Sequence, residues 1–156
     1  MNILQLSDPR DRHLGRAIQI QAQQHGDRRF LLFGDSVYTF AEVNRRVNEL
    51  AAGLAAAGLK AGERLAFYMG SAPEVIFLVL ATNKLGAVWV PINTDYKGAW
   101  LSDTISDSRP TILVSDAAHA DRLLEVKAAL GTVTLVMHGG HESLPGARSL
   151  ESLYVA

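Results

Sequence analysis

Cysteine is absent from the 156 residues. Without a thiol there is no disulfide framework, no thiolate nucleophile and no Cys-ligated metal. The absence fits a reducing cytosol, so a cytoplasmic location is expected. An excess of either charge is also missing. Lys and Arg number 15 against 16 Asp and Glu, a net charge of −1. No basic surplus exists to hold a phosphate backbone, so nucleic-acid binding is disfavoured. The first residues are too few for a secretory signal and run into Asp8, Arg10, Asp11 and Arg12. Long apolar runs are lacking too. The richest stretch, 75–92, is interrupted by Asn83, Lys84, Gly86 and Pro91. A membrane span needs about 20 nearly unbroken apolar residues. The expectation is a buried helix followed by a buried strand. Finally, no Gly-rich turn followed by Lys and Ser or Thr occurs, and no dinucleotide fingerprint follows a strand.

What is present is an ordinary globular composition, 48% apolar and 20% charged, in a length that suits one domain. Leu14, Ala17, Ile18 and Ala22 recur at helical spacing and predict a helix over 14–25. The apolar run 30–33, then Gly34-Asp35, then Val37 and Tyr38, predicts a hairpin with a tight turn of open type. Thr39 and Glu42 form a capping box before an apolar stripe of Phe40, Val43, Val47, Leu50 and Leu54, stopped by Gly58. A strand is expected over 65–69. Ser71 and Glu74 repeat the box, with Pro73 in the first turn and Gly86 as the stop. Then come a strand at 88–92, a helix at 98–107 ended by Pro110, a strand at 112–114, a helix at 117–130 and a strand at 132–137.

Short strands rich in Val, Ile and Leu, alternating with amphipathic helices, predict an α/β fold. Its sheet should be mostly parallel and covered by helices on both faces, with the hairpin ahead of it. Residues 1–26 read as a helical lead-in, 27–137 as the α/β unit, and 138–156 as an exposed loop and an unfinished element. Three Gly and one Pro mark that loop. Leu150, Leu153 and Val155 then restart an apolar pattern that stops at once, as though the chain were a piece of a longer one.

Candidate chemistry is sparse. Gly70-Ser71 reads as a strand-to-helix turn. His138 and His141, beside Glu142, are spaced i, i+3 across Gly139-Gly140, whereas helical zinc ligands are usually spaced i, i+4. No metal site is expected there. Asp116 and His119 could form an acid/base couple; a helix N-cap followed by an exposed first-turn residue is the preferred reading. Trp89 and Trp100 are expected in the core. No catalytic residue is assigned.

Four strings in order resemble the adenylate-forming superfamily of AMP-forming acyl-CoA synthetases, luciferases and peptide-synthetase adenylation domains. They are Tyr38-Thr39-Phe40-Ala41-Glu42-Val43 with the helix through Gly53-Leu54; Gly58-Leu59-Lys60-Ala61-Gly62-Glu63-Arg64-Leu65-Ala66; Ser71-Ala72-Pro73-Glu74; and Lys84-Leu85-Gly86-Ala87-Val88-Trp89-Val90-Pro91-Ile92-Asn93. The run Ile92-Asn93-Thr94-Asp95-Tyr96-Lys97-Gly98 is most similar to the acid–CoA ligase branch.

The resemblance implies part of the N-terminal domain of an enzyme that joins a carboxylic acid to CoA through an acyl-adenylate. Such an enzyme uses ATP, Mg²⁺ and CoA. The Ser/Thr/Gly/Lys phosphate loop, the ribose-binding Asp and the C-terminal Lys of the superfamily are not in this sequence. The chain alone is therefore expected to be structural, to bind none of these ligands tightly, to belong with the rest of the enzyme, and to associate with itself through uncovered apolar surface. In some CoA-using relatives a cation after the Pro-x-Asn turn approaches the CoA phosphates. Asp95 occupies that position here, and Lys97 is the nearest cation that could substitute. Two alternatives stay open: a non-catalytic interaction module on the same scaffold, and a flavodoxin-like nucleotide-binding domain.

Overall fold

The computed structural model describes residues 8–155. After a 3₁₀ turn, Pro9–Asp11, come α1 (Leu14–His25), β1 (Arg29–Phe33), β2 (Ser36–Thr39), α2 (Phe40–Ala56), β3 (Arg64–Tyr68), α3 (Pro73–Lys84) and β4 (Val88–Pro91). They are followed by α4 (Gly98–Ser108), β5 (Ile112–Asp116), α5 (Ala120–Glu125), α6 (Lys127–Leu130), β6 (Thr134–His138) and β7 (Arg148–Ser149). The main sheet has the order β4-β3-β5-β6-β7, and every pairing in it is parallel. β1 and β2 form a separate antiparallel ribbon.

Alternation along the strands divides the interior into two cores, as a parallel sheet covered on both faces requires. Leu65 and Phe67 of β3, with Ile112 and Val114 of β5, face a core built by α1, α2 and α3. Ala66, Tyr68 and Leu113 face a second core filled by Leu101 and Ile105 of α4 and by Leu123 and Leu130. The α/β expectation holds, hairpin included.

The best-signalled helix starts as its sequence predicts. Thr39 Oγ1 accepts from the Glu42 N–H at 3.2 Å, and the Glu42 carboxylate accepts from the Thr39 N–H at 2.8 Å. The hairpin turn has positive φ at Gly34 and not at Asp35, as a type II′ turn requires.

Several expectations change. Ser71 does not cap α3: the N-cap is Ala72, which makes no side-chain bond. Pro73 and its fixed φ start the helix instead. The stretch 88–92 is not a buried strand. β4 is the edge of the sheet, with Val88 50% and Trp89 40% exposed, and only Ile92 beyond it is buried. The helix at 117–130 breaks into a 3₁₀ turn, α5 and α6, because Val126 leaves helical geometry at φ −108°, ψ 27°. The loop after β6 is not wholly exposed. It holds a 3₁₀ turn at His141–Ser143, a buried Leu144 and the short β7. Leu150 and Leu153 then bury fully in the first core.

Candidate functional site

In an open parallel sheet, ligands collect outside the carboxyl ends of the strands where the strand order reverses. Here β3 is followed on one side by β4 and on the other by β5, so the reversal lies between β3 and β5. Tyr68 ends β3 and Asp116 ends β5, so both strands deliver polar groups to this crevice.

Asp116 bridges the crevice. Its Oδ2 accepts from the Gly70 N–H at 2.8 Å, and its Oδ1 lies 2.5 Å from His119 Nδ1. Burial raises the pKa of this carboxyl, but the Gly70 and His119 hydrogen bonds and the charge interaction with His119 outweigh it, and the net shift is downward. Ser115 Oγ donates to the Tyr68 carbonyl at 2.6 Å, a second bridge between the strands. The buried Tyr68 hydroxyl donates to the Tyr96 carbonyl at 2.6 Å and lies 3.2 Å from the Thr94 carbonyl. Arg122 of α5 donates to the Tyr68 hydroxyl at 3.2 Å and to the Thr94 carbonyl. The His119 ring stands edge-on to Tyr68, centroids 5.1 Å apart.

These contacts fix the loop between β4 and α4. Asn93 Oδ1 accepts from the Asp95 N–H at 2.9 Å, closing a tight turn. Lys97 follows, exposed at the N-cap of α4. It has no hydrogen bond or ion pair among the described residues, which leaves its ammonium free for an incoming anion.

The structure thus brings Asp116 and His119 together and corrects the preferred reading of His119. Asp116 does stand at the N-cap of the 3₁₀ turn Ala117–His119, as expected, although its side chain is turned to Gly70 and the His119 ring. His119 is not exposed; its side chain retains 15% of its accessible surface. The two tryptophans are also corrected. Trp89 is 40% exposed, stacked on Phe67 with centroids 6.3 Å apart, and Trp100 is 71% exposed, edge-on to Tyr96. Their indoles lie on faces that the described residues do not cover.

His138 sits at the end of β6, with Nε2 3.7 Å from Glu74 and Nδ1 3.3 Å from Glu151. Glu142 is exposed, and the side chain of His141 lies outside the described residues. Tyr68, Ser115 and Arg122 went unassigned in the sequence. Their signal is positional, since each stands at or just beyond the carboxyl end of a strand beside the reversal.

As chemistry, the crevice is a positioning network. Its carboxylate is engaged by a backbone N–H and an imidazole, and its phenol by two carbonyls and a guanidinium. No group of three His, Asp or Glu suited to a divalent cation occurs among the described residues. No helix of the described residues is long and apolar enough to cross a membrane.

The sequence profile of the AMP-binding enzyme family matches residues 18–152. The chain is 30% identical over 120 residues to a medium/long-chain-fatty-acid–CoA ligase of Mycobacterium tuberculosis, a match covering 77% of this chain and 20% of that protein. It is 34% identical over 95 residues to a feruloyl-CoA synthase of an Amycolatopsis species, covering 61% of this chain and 19% of the relative. Its fold superposes on the inhibitor-bound N-terminal domain of FACL13 from Mycobacterium tuberculosis with a TM-score of 0.80 at 27% identity, over 91% of this chain and 35% of that one. The chain therefore spans about a fifth of the length of these two ligases. On the strength of the matched residues, the two-sided parallel sheet and the hairpin, this polypeptide belongs to the AMP-binding enzyme family, and it corresponds to the N-terminal part of its acyl-CoA ligases.

Proposed function

We propose that this chain is the scaffold portion of an AMP-forming acid–CoA ligase. The whole enzyme converts ATP, a carboxylic acid and CoA to acyl-CoA, AMP and pyrophosphate. The observation that carries the reading is the family match over 18–152, coupled to a crevice closed by its own hydrogen bonds. A sheet that uses its end groups to fix a loop presents that loop; it does not itself grip a triphosphate.

ATP and Mg²⁺ belong to the rest of the enzyme. CoA supplies the thiol that accepts the acyl group, and Lys97 is the residue of this chain that meets one of its phosphates. Lys97 is exposed and unpaired, on a loop whose backbone carbonyls are held by Tyr68 and Arg122. The chain by itself binds none of these ligands tightly and associates with its own copies through exposed apolar surface. The parent enzyme works in the cytoplasm. Medium-chain and hydroxycinnamic acids are the first substrates to try, given the names of the relatives.

The test is pyrophosphate exchange into ATP with octanoate and ferulate. The isolated chain is expected to show none, and the longer protein that contains it to show exchange with at least one acid. Exchange by the isolated chain, or none by the longer protein with any acid, overturns the proposal. For Lys97, the Lys97→Ala variant of the longer protein is expected to raise the KM for CoA about tenfold, the scale of one charged contact, and to leave the exchange step unchanged. An unaltered KM removes Lys97 from the site.

A further inference from the structure

A polar cavity of about 250 Å³ lies where α1 meets α2 and α3, and it shares no residue with the crevice. It is lined by His13, Gly15, Arg16, Gln19, Asn48 and Lys84. Glycine admits the close approach of α1 to α3. A Cβ on Gly15 would lie 2.7 Å from Lys84 Cγ and 3.0 Å from Lys84 Cα, so the first turn of α1 rests on the lysine stem.

The hydrogen bonds around the cavity engage acceptors and leave donors over. Lys84 Nζ donates to the Oδ1 atoms of Asn44 and Asn48, both at 2.6 Å. Arg16 Nη1 donates to Gln19 Oε1 at 3.0 Å. His13 Nδ1 accepts from the Arg16 N–H at 3.3 Å. An amide turns its oxygen to a cation, so Asn48 and Gln19 keep their NH₂ ends. An imidazole that accepts at Nδ1 carries its proton on Nε2. The ammonium keeps a third N–H, and the guanidinium keeps others. Five side chains thus offer donors, and no carboxylate stands in the lining among the described residues.

The charges lack a counterpart as well. Burial lowers the Lys84 pKa, and no acidic neighbour offsets it. Asp11 reaches Arg16 Nε at 3.4 Å from outside the lining, and that nitrogen makes no hydrogen bond. An exposed ion pair of this kind contributes little.

We infer that this cavity binds a phosphate group, which accepts from Lys84, Arg16, Gln19, Asn48 and His13. A phosphate monoester carries about −1.5 to −2 charges at pH 7 and has three strong acceptor oxygens. Two cations and three neutral donors match that better than the single charge and two oxygens of a carboxylate. Free phosphate and a small phosphate ester share this chemistry.

Lysine footprinting reads the site directly. The longer protein that contains this chain is treated with an amine-acetylating reagent, and modification of Lys84 is followed by peptide mass spectrometry. Millimolar inorganic phosphate or glycerol 3-phosphate is expected to slow modification of Lys84 about threefold or more, and to leave the exposed Lys60 and Lys127 unchanged. Protection by the ester at the lower concentration makes an ester the ligand, and the reverse makes it the free ion; either upholds the site. Arg16→Gln, which removes a cation, and Gln19→Glu, which puts a carboxylate in the lining, are each expected to abolish the protection. No protection by either phosphate overturns the inference. So does equal protection by acetate, equal protection by sodium chloride at the same ionic strength, or protection that survives both substitutions.

Discussion

Asp116 is the residue on which the crevice turns. Its carboxylate spans from the Gly70 N–H on one strand end to the His119 ring beyond the other. Hydrogen bonds to a charged group contribute about 1.5–3 kcal/mol each. Asp116→Asn keeps the shape and loses the charge, so it should cost about 2 kcal/mol, read as a lower urea midpoint at pH 7. The pH dependence has a definite sign. The folded pKa is depressed below the ordinary 3.8. The stabilisation is thus complete above that value and is lost as pH falls through the lower, folded one. The gap between wild type and Asp116→Asn should close below about pH 4. A gap that persists at pH 2 would mean that the carboxylate charge is not what holds the crevice. Tyr68→Phe leaves two loop carbonyls and the Arg122 guanidinium without the phenol, and should speed proteolysis at 93–97 while the buried ring keeps the fold.

At the scale of elements, the close approach of α2 to the segment after β7 decides the most. A Cβ built on Gly53 would lie 1.8 Å from the Leu153 carbonyl oxygen, a backbone atom that cannot turn aside. Gly53→Ala must therefore push the 3₁₀ turn Glu151–Leu153 off the helix and lift Leu153 out of the core. Overpacking of this kind costs about 1–3 kcal/mol, and urea denaturation should show it. Thr39→Ala removes one half of the capping box and should cost about 1 kcal/mol; an unchanged midpoint would show that packing alone sets the start of α2. The two capping boxes read from the sequence fared differently for a physical reason. Thr39 is the last residue of β2, which leaves it extended at the helix start, with its side chain bonded to the Glu42 N–H. Ser71 lies one residue too early, because Pro73 fixes where α3 begins.

Across the whole molecule, the isolated chain exposes Leu32, Val37, Val88, Trp89 and Trp100. Exposed apolar patches beyond a few hundred Å² favour association, so light scattering should find dimers or larger species at micromolar concentration, and a clean monomer would contradict this. α1, α2 and α3 meet around Lys84, whose ammonium donates to Asn44 and Asn48, both at 2.6 Å, and whose pKa burial lowers. A lysine with a depressed pKa weakens the fold while it is charged. That penalty should fade as pH rises from the folded pKa towards the ordinary 10.5, and Lys84→Met should remove this part of the pH dependence.

The amino-acid order alone determined the periodic elements, the glycine stops and the two-sided parallel sheet, because each depends on spacing within a few residues of chain. It also carried the strings that resemble the ligase family. What it could not contain was which strand lies at an edge and which groups meet at a strand end. Val88 and Trp89 read as buried because their apolar run is the same whether a neighbour covers it or not. Asp116 read as no more than a cap because Gly70, its partner 46 residues earlier, is brought to it only when β3 and β5 pair. Strand order is a property of the assembled sheet, and only the tertiary structure decides it.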